Sequence, residues 1–172
     1  LARDREGRFL GLRASNIGNL GSHSGSHVPL IKSTELMSTV YRIPAVHVRA
    51  RAVLSNTPPT NPYRSAGRPE AMFVMERLVD LAAERHGFDR VALRRLNLVP
   101  GAAMPYANGL GMTYDSGDYP KAMDDALRLA DWNGRSASHG MVIALAVATC
   151  SARRRTQRPR RSRSPFSLNS SG

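Results

Sequence analysis

The sequence predicts an α+β fold, β-rich at first and helical after, followed by a disordered basic tail. Three observations predict this. The stretch "VHVRARAVLSN", residues 46–56, alternates apolar and polar side chains. The stretch "RPEAMFVMERLVDLAAERHG", residues 68–87, repeats apolar residues at helical spacing between a start and a stop signal. From Arg135 to Gly172 there are eight arginines and no acid. The 172 residues are 41% hydrophobic, enough to bury a core in one or two small domains.

In chain order, "REGRFLGLR" at 5–13 reads as a turn and then a strand. Leu10 and Leu12 share one side of it, and Phe9 breaks the alternation. "NIGNLGSHSGSH" at 16–27, rich in Gly, Ser and His, reads as a flexible loop. The next strand places Val46, Val48, Ala50 and Ala52 on one face and His47, Arg49 and Arg51 on the other, the pattern of a half-buried strand. "NTPPTNPYRSAGRP" at 56–69 is a turn-rich loop with four prolines.

The long helix starts at that loop. Pro69 suits a first turn, where its missing donor costs nothing, and Glu70 meets the positive end of the helix dipole. Met72, Met75, Val79 and Ala82 form one apolar series; Val74, Leu78 and Leu81 form another. Arg85 and His86 fall in the last turn, and Gly87 suits the left-handed stop. Asp89 caps a shorter helix, "RVALRRLNL". "VPGAAMPYANGLGMTYDSGD" at 99–118 reads as loop. Asp118 then caps "YPKAMDDALRLADW", where Met123, Ala126, Leu127 and Ala130 make an apolar stripe that ends at Asn133 and Gly134.

Composition also excludes. One cysteine, Cys150, rules out an internal disulfide and any thiolate metal cluster made by this chain alone. The longest apolar run, Met141 to Cys150, is too short to span a bilayer, and a cytoplasmic location is expected. Leu1 opens the chain with no signal pattern, which suggests a fragment or a processed product. The net charge of +12 points at first to nucleic acid, but the first 134 residues carry only +4.

Two long stretches carry a resemblance. "YRIPAVHVRARAVLSNTPPTNPYRSAGRPEAMFVMERLVDLAAERHGFDRVALRRLNLV" and then "MPYANGLGMTYDSGDYPKAMDDAL" resemble the large molybdopterin-binding subunit of the molybdenum hydroxylases, the xanthine dehydrogenase, aldehyde oxidase and carbon monoxide dehydrogenase type enzymes. The likeness covers roughly residues 1–134. It implies a molybdenum–molybdopterin cofactor, an aldehyde or N-heterocycle substrate hydroxylated with water-derived oxygen, and partner subunits or domains that bind iron–sulfur clusters and FAD. It also implies a division: 1–100 as the C-terminal part of a first molybdopterin-binding domain, 101–134 as the start of a second, and 135–172 as a tail foreign to the family.

The resemblance assigns Tyr63, Arg64 and Ser65 to cofactor binding. A guanidinium and loop amides before a helix suit an anion. On the loop alone, solvated surface charge is the stronger reading of Arg64; the resemblance reverses it. Tyr63 either packs beside the site or serves as a core tyrosine. Ser65 stands where the copper-containing carbon monoxide enzymes place a cysteine, and serine is a poor copper(I) ligand. Ala66 falls where xanthine-type enzymes use a stacking aromatic for substrate, so purine specificity is in doubt. Lys32 falls near a substrate-orienting arginine of that branch, though an exposed loop lysine is the better account.

Other residues read as ordinary. His23 and His27 are loop histidines, Asp115 and Asp118 a turn and a cap, and Glu76, Asp80 and Glu84 a solvated or subunit-facing stripe. No acid matches the family's catalytic glutamate, so no catalytic residue is assigned and the chain is expected to be inactive alone. The resemblance stops after Trp132. The arginine-rich remainder has the composition that a frameshift in a GC-rich gene produces; a natural basic extension is the competing explanation. The alternative function is a small basic nucleic-acid-binding protein acting through that tail.

Overall fold

The structure, a computed structural model, describes residues 1–132. The expectations for the basic tail, for Met141–Cys150 and for the helix stop at Asn133 and Gly134 lie outside the described residues.

Strands precede the main helices, as expected. β1 (Ala2–Arg3), β2 (Phe9–Asn19) and β3 (Ala45–Val53) form one sheet in that order. β1 pairs antiparallel with β2. β2 and β3 run parallel, from Gly11 opposite Ala45 to Asn19 opposite Val53. A parallel pair needs a crossover, and here it is a helix, α1 (Val28–Glu35). Residues 9–53 are therefore a βαβ unit.

Two differences from the sequence reading follow. β2 continues through Asn16–Asn19, where the composition predicts a loop, and α1 forms where the sequence reading places no helix. Asn and Gly are weak strand formers, and α1 has no side-chain cap to announce it. Long-range pairing supplies what local propensity lacks. Leu12 is buried toward α1, and Asn16 Nδ2 donates to Ser33 Oγ of α1 at 2.7 Å. In β3 the alternation holds only at first: Val46 and Val48 are half-buried, while Ala50 and Ala52 are exposed.

The later helices form where expected, but their apolar faces differ in part: Met72 and Ala82 are half-buried, and Val74 and Ala126 are exposed. α2 (Arg68–His86) has Pro69 and Glu70 in its first turn and ends on Gly87 at φ 70°. Its buried ridge is Ala71, Met75, Val79 and Ala83, an i, i+4 row. Asp89 accepts from the Ala92 amide at 2.6 Å and starts α3 (Arg90–Asn97). Asp118 accepts from the Lys121 amide at 3.0 Å and starts α4 (Tyr119–Leu129). Between α3 and α4, where a loop was expected, lie a short 3₁₀ turn (Gly101–Ala103) and a two-stranded hairpin, β4 (Tyr106–Ala107) with β5 (Thr113–Tyr114).

One hydrophobic core runs through all of this. Phe9 meets Tyr41 edge-on, and Leu36, Met37, Val40, Met75, Val79, Leu93 and Val99 surround them. Tyr114, Tyr119 and Met123 extend the same cluster under the hairpin and α4. Asn97 closes one end: its Oδ1 accepts from the Phe9 amide at 2.7 Å and its Nδ2 donates to the Gly7 carbonyl at 2.9 Å.

Candidate functional site

The candidate site lies where β2 and β3 both end, because parallel strands deliver their carboxyl ends to one edge of a sheet. Two loops leave that edge and interlock. Asn19 Oδ1 accepts from the Gly21 amide at 2.9 Å and from Ser55 Oγ at 2.7 Å. The Ser22 amide donates to the Thr57 carbonyl, and the Thr60 amide to the Leu20 carbonyl. Gly21 sits at φ 80°, and a Cβ there would fall 2.3 Å from the Pro58 oxygen. Only glycine lets the two backbones meet so closely.

The second loop continues into the turn Tyr63–Gly67. The Ala66 amide donates to the Tyr63 carbonyl and the Arg68 amide to the Ser65 carbonyl, both at 2.9 Å. Ser65 holds a left-handed φ of 70°, a conformation that costs an L-residue about 1 kcal/mol or more. Gly67 holds φ 83°, and a Cβ on it would lie 2.3 Å from the Pro29 oxygen and 2.5 Å from the Ser33 nitrogen. The turn is thus pressed onto α1 and cannot retreat. It delivers the chain to α2, whose Gly67 N-cap has no side chain to satisfy the first amides.

The four residues assigned from sequence share this turn. Tyr63 is 87% exposed, so it is no core tyrosine. Arg64 and Ser65 are exposed and Ala66 is half-buried. Arg64 makes no hydrogen bond or ion pair among the described residues. The assembly is a solvent-facing cation at the positive end of a 19-residue helix that has no side-chain cap, which suits an anionic group. Beside it, a cleft of about 200 Å³ is lined by Asn16, Ser26, Ser33, Thr60 and Glu70.

Lys32 is on α1, not in a loop. Its stem lies against Gly67, but its ammonium pairs with Glu35 at 2.8 Å. His27 caps α1 in position only, and His23 stays in the turn, its Nδ1 3.1 Å from Ser22 Oγ. Among the described residues no group of three His, Cys, Asp or Glu gathers to hold a metal.

Sequence reasoning missed a buried polar network. Glu76 is buried, not solvated. It accepts from Tyr41 Oη and Arg94 Nε, both at 2.8 Å. Arg94 also donates to Asp80 at 2.9 Å, and Arg90 donates to Asp80 twice. Burial pushes the Tyr41 hydroxyl far above the usual phenol range, and Glu76 adds to it, so Tyr41 stays a donor. Burial also opposes the Asp80 charge, but hydrogen bonds from Arg90 and Arg94 outweigh it and hold this carboxyl below its ordinary range. The matched spacing, Glu76 and Asp80 on α2 and Arg90 and Arg94 on α3, was the available signal. The network braces α2 but does not reach the Tyr63–Gly67 turn.

Comparison with known proteins places this geometry in context. Residues 1–98 match the family model described as "Molybdopterin cofactor-binding domain". The chain is 34% identical over 140 residues to the 6-hydroxypseudooxynicotine dehydrogenase complex subunit gamma of Paenarthrobacter nicotinovorans, covering 77% of this chain and 18% of that protein. It is 31% identical to the carbon monoxide dehydrogenase large chain of Hydrogenophaga pseudoflava, covering 77% of this chain and 17% of that one. Among solved structures it resembles quinoline 2-oxidoreductase from Pseudomonas putida 86, with a TM-score of 0.69, 28% identity and coverage of 80% and 18%. The chain spans less than one fifth of the length of each of these proteins.

Proposed function

The chain belongs to the molybdopterin cofactor-binding domain family, and from that premise we propose that it is part of the catalytic subunit of a molybdenum hydroxylase acting on an aldehyde or N-heterocycle. Its share of that work is to hold one side of the cofactor. The observation that carries this reading is the Tyr63–Gly67 turn, pinned by Gly67 against α1, with Arg64 projecting from it before an uncapped helix.

The donor set fits the group. Molybdopterin carries a phosphate, and a guanidinium with backbone amides at a helix start is the chemistry that binds one. Arg64 would supply the charge-assisted bond. The Ser65 and Gly67 amides would supply neutral ones, since those of Ala66 and Arg68 are held within the turn; Tyr63 would flank the cofactor and Ala66 the substrate side. When bound, the cofactor supplies the redox chemistry. Glu70 lines the adjacent cleft but matches no catalytic glutamate of the family, so we read the rest of the subunit as completing the site.

Residues 1–100 then finish a first cofactor-binding domain, and the segment from 101 opens a second. Relatives named as a complex subunit and as a large chain support further subunits, which we read as the iron–sulfur and FAD carriers. Among the described residues no helix is long and apolar enough to cross a membrane. Nothing there favours the nucleic-acid alternative, which rests on the tail.

The test places this segment in a full-length family subunit expressed in a host that makes the cofactor. Arg64→Ala should lower molybdenum occupancy, because a hydrogen bond to a charged group is worth about 1.5–3 kcal/mol. Arg85→Ala, an exposed residue in the last turn of α2, should leave occupancy unchanged. Equal losses from both would remove the special role of Arg64.

A further inference from the structure

The βαβ unit has two faces, and only one is covered. Even-numbered residues of β2 meet α1: Asn16 bonds Ser33, and Gly18 leaves room for Leu30. From Arg13 in β2 and His47 in β3 onward, the odd-numbered residues point the other way. There, Arg13 is opposite His47, and Ile17 is opposite Arg51, with Arg49 between them. All of these are exposed. Neither strand contains an acid, and none of Arg13, Arg49 and Arg51 has a hydrogen-bond or ion-pair partner among the described residues. Ile17 is 55% exposed and Val53 42%.

Parallel pairing is found almost only where both faces of the sheet are covered. An open basic face on such a pair, with apolar side chains set among the charges, has the composition of an interface. We propose that the outer face of β2 and β3 is a docking surface for an acidic protein layer. This rests on the reading that the chain is part of a larger enzyme.

Several facts choose that occupant. Charge complementarity asks for Asp and Glu. The chain's own remainder cannot supply them, since it has no acid after Asp131. A second copy would bring the same cations against themselves. Nucleic acid would satisfy the arginines but would gain nothing from Ile17 and Val53, and this face offers no aromatic on which bases could stack. Meanwhile the relatives hold more than four fifths of their length outside the matched region. That is ample protein to form the missing layer.

The test uses the full chain labelled with ¹⁵N. It is titrated with a short poly-L-glutamate peptide and, separately, with a thymidine oligonucleotide of equal charge. The expected result is saturable shifts at residues 13, 17, 47, 49, 51 and 53 with the peptide, lost at high salt. In the Arg49→Glu/Arg51→Glu variant, affinity at those residues should fall by roughly tenfold or more. Peptide shifts confined to residues beyond 132 would overturn the proposal, as would a response of this face to the oligonucleotide alone. So would a concentration-dependent dimer that the double variant abolishes. Molybdenum occupancy of the Arg64 variant is a separate readout, so the cofactor reading and the docking face can fail independently.

Discussion

Arg94 is fully enclosed yet carries a fixed charge. Such a group is tolerable only while its partners stand, so its removal should hurt through what it leaves behind. Arg94→Leu strands the Glu76 carboxylate in the core, and breaking a buried pair in this way costs about 3–5 kcal/mol. Adding Glu76→Gln should recover part of that loss, because Gln still accepts from Tyr41 without a charge. Urea denaturation of the two variants decides; a double variant weaker than the single one would show that the ion pair is not the source. Asp80 gives the network a pH signature. Its carboxyl is held below its ordinary range in the folded state, so its contribution is present above about pH 4, the unfolded value. The contribution is lost as pH falls through the lower folded value. Asp80→Asn should therefore flatten the acid side of the stability profile and lower the plateau near neutrality.

Two glycines test how the elements are joined. Gly67 and Gly87 bracket α2, and both have positive φ. A Cβ at Gly87 meets open space, so Gly87→Ala should cost about 1 kcal/mol, the price of the left-handed backbone. At Gly67 a Cβ would strike the backbone of α1, so Gly67→Ala should cost clearly more and loosen the candidate site. Thermal melts of both variants give the comparison; equal shifts would mean that α1 does not press on the turn. The same contrast explains what the sequence disclosed. α2, α3 and α4 were legible because Pro69, Gly87, Asp89 and Asp118 act within one turn of themselves. α1 was not, because it has no side-chain cap and follows a run of Gly, Ser and His. The turn at Tyr63–Gly67 was legible as a turn, but its anchoring depends on Pro29 and Ser33, more than thirty residues earlier. The Glu76 network was hidden for a similar reason: its spacing also describes a solvated stripe, and only the packing of α2 on α3 chooses between them.

At the scale of the whole molecule, the proposed domain boundary at residue 100 divides the sequence but not the core. Tyr114 Oη donates to the Thr39 carbonyl at 2.6 Å, and Asn108 Nδ2 to the Glu35 carbonyl at 2.7 Å. The bonds tie the later segment to the end of α1 and to the turn that follows it. A chain cut after Trp132 should keep a cooperative unfolding transition, since the buried cluster from Phe9 to Met123 is intact. A chain cut after Pro100 should lose it, because Met112, Tyr114, Tyr119 and Met123 would be missing from the cluster and Thr39 would lose its bond from Tyr114. Circular dichroism melts of the two truncations separate the cases. A sharp transition in the shorter chain would show that residues 1–100 form a core of their own.

The bond from the Phe9 amide to Asn97 spans 88 positions, and distance along a chain is also distance in time. Synthesis proceeds at about 5–20 residues per second, so Asn97 is made roughly 4–18 s after Phe9. Throughout that interval the start of β2 has no partner at this amide, and its parallel neighbour β3 is itself about 36 residues behind. Non-local pairing of this kind is what slows folding, because the loop must close before any contact rewards it. β2 leaves the ribosome before both β3 and Asn97 and is secured only once they follow, which makes Asn97 a place where a substitution should slow maturation as well as weaken the finished protein.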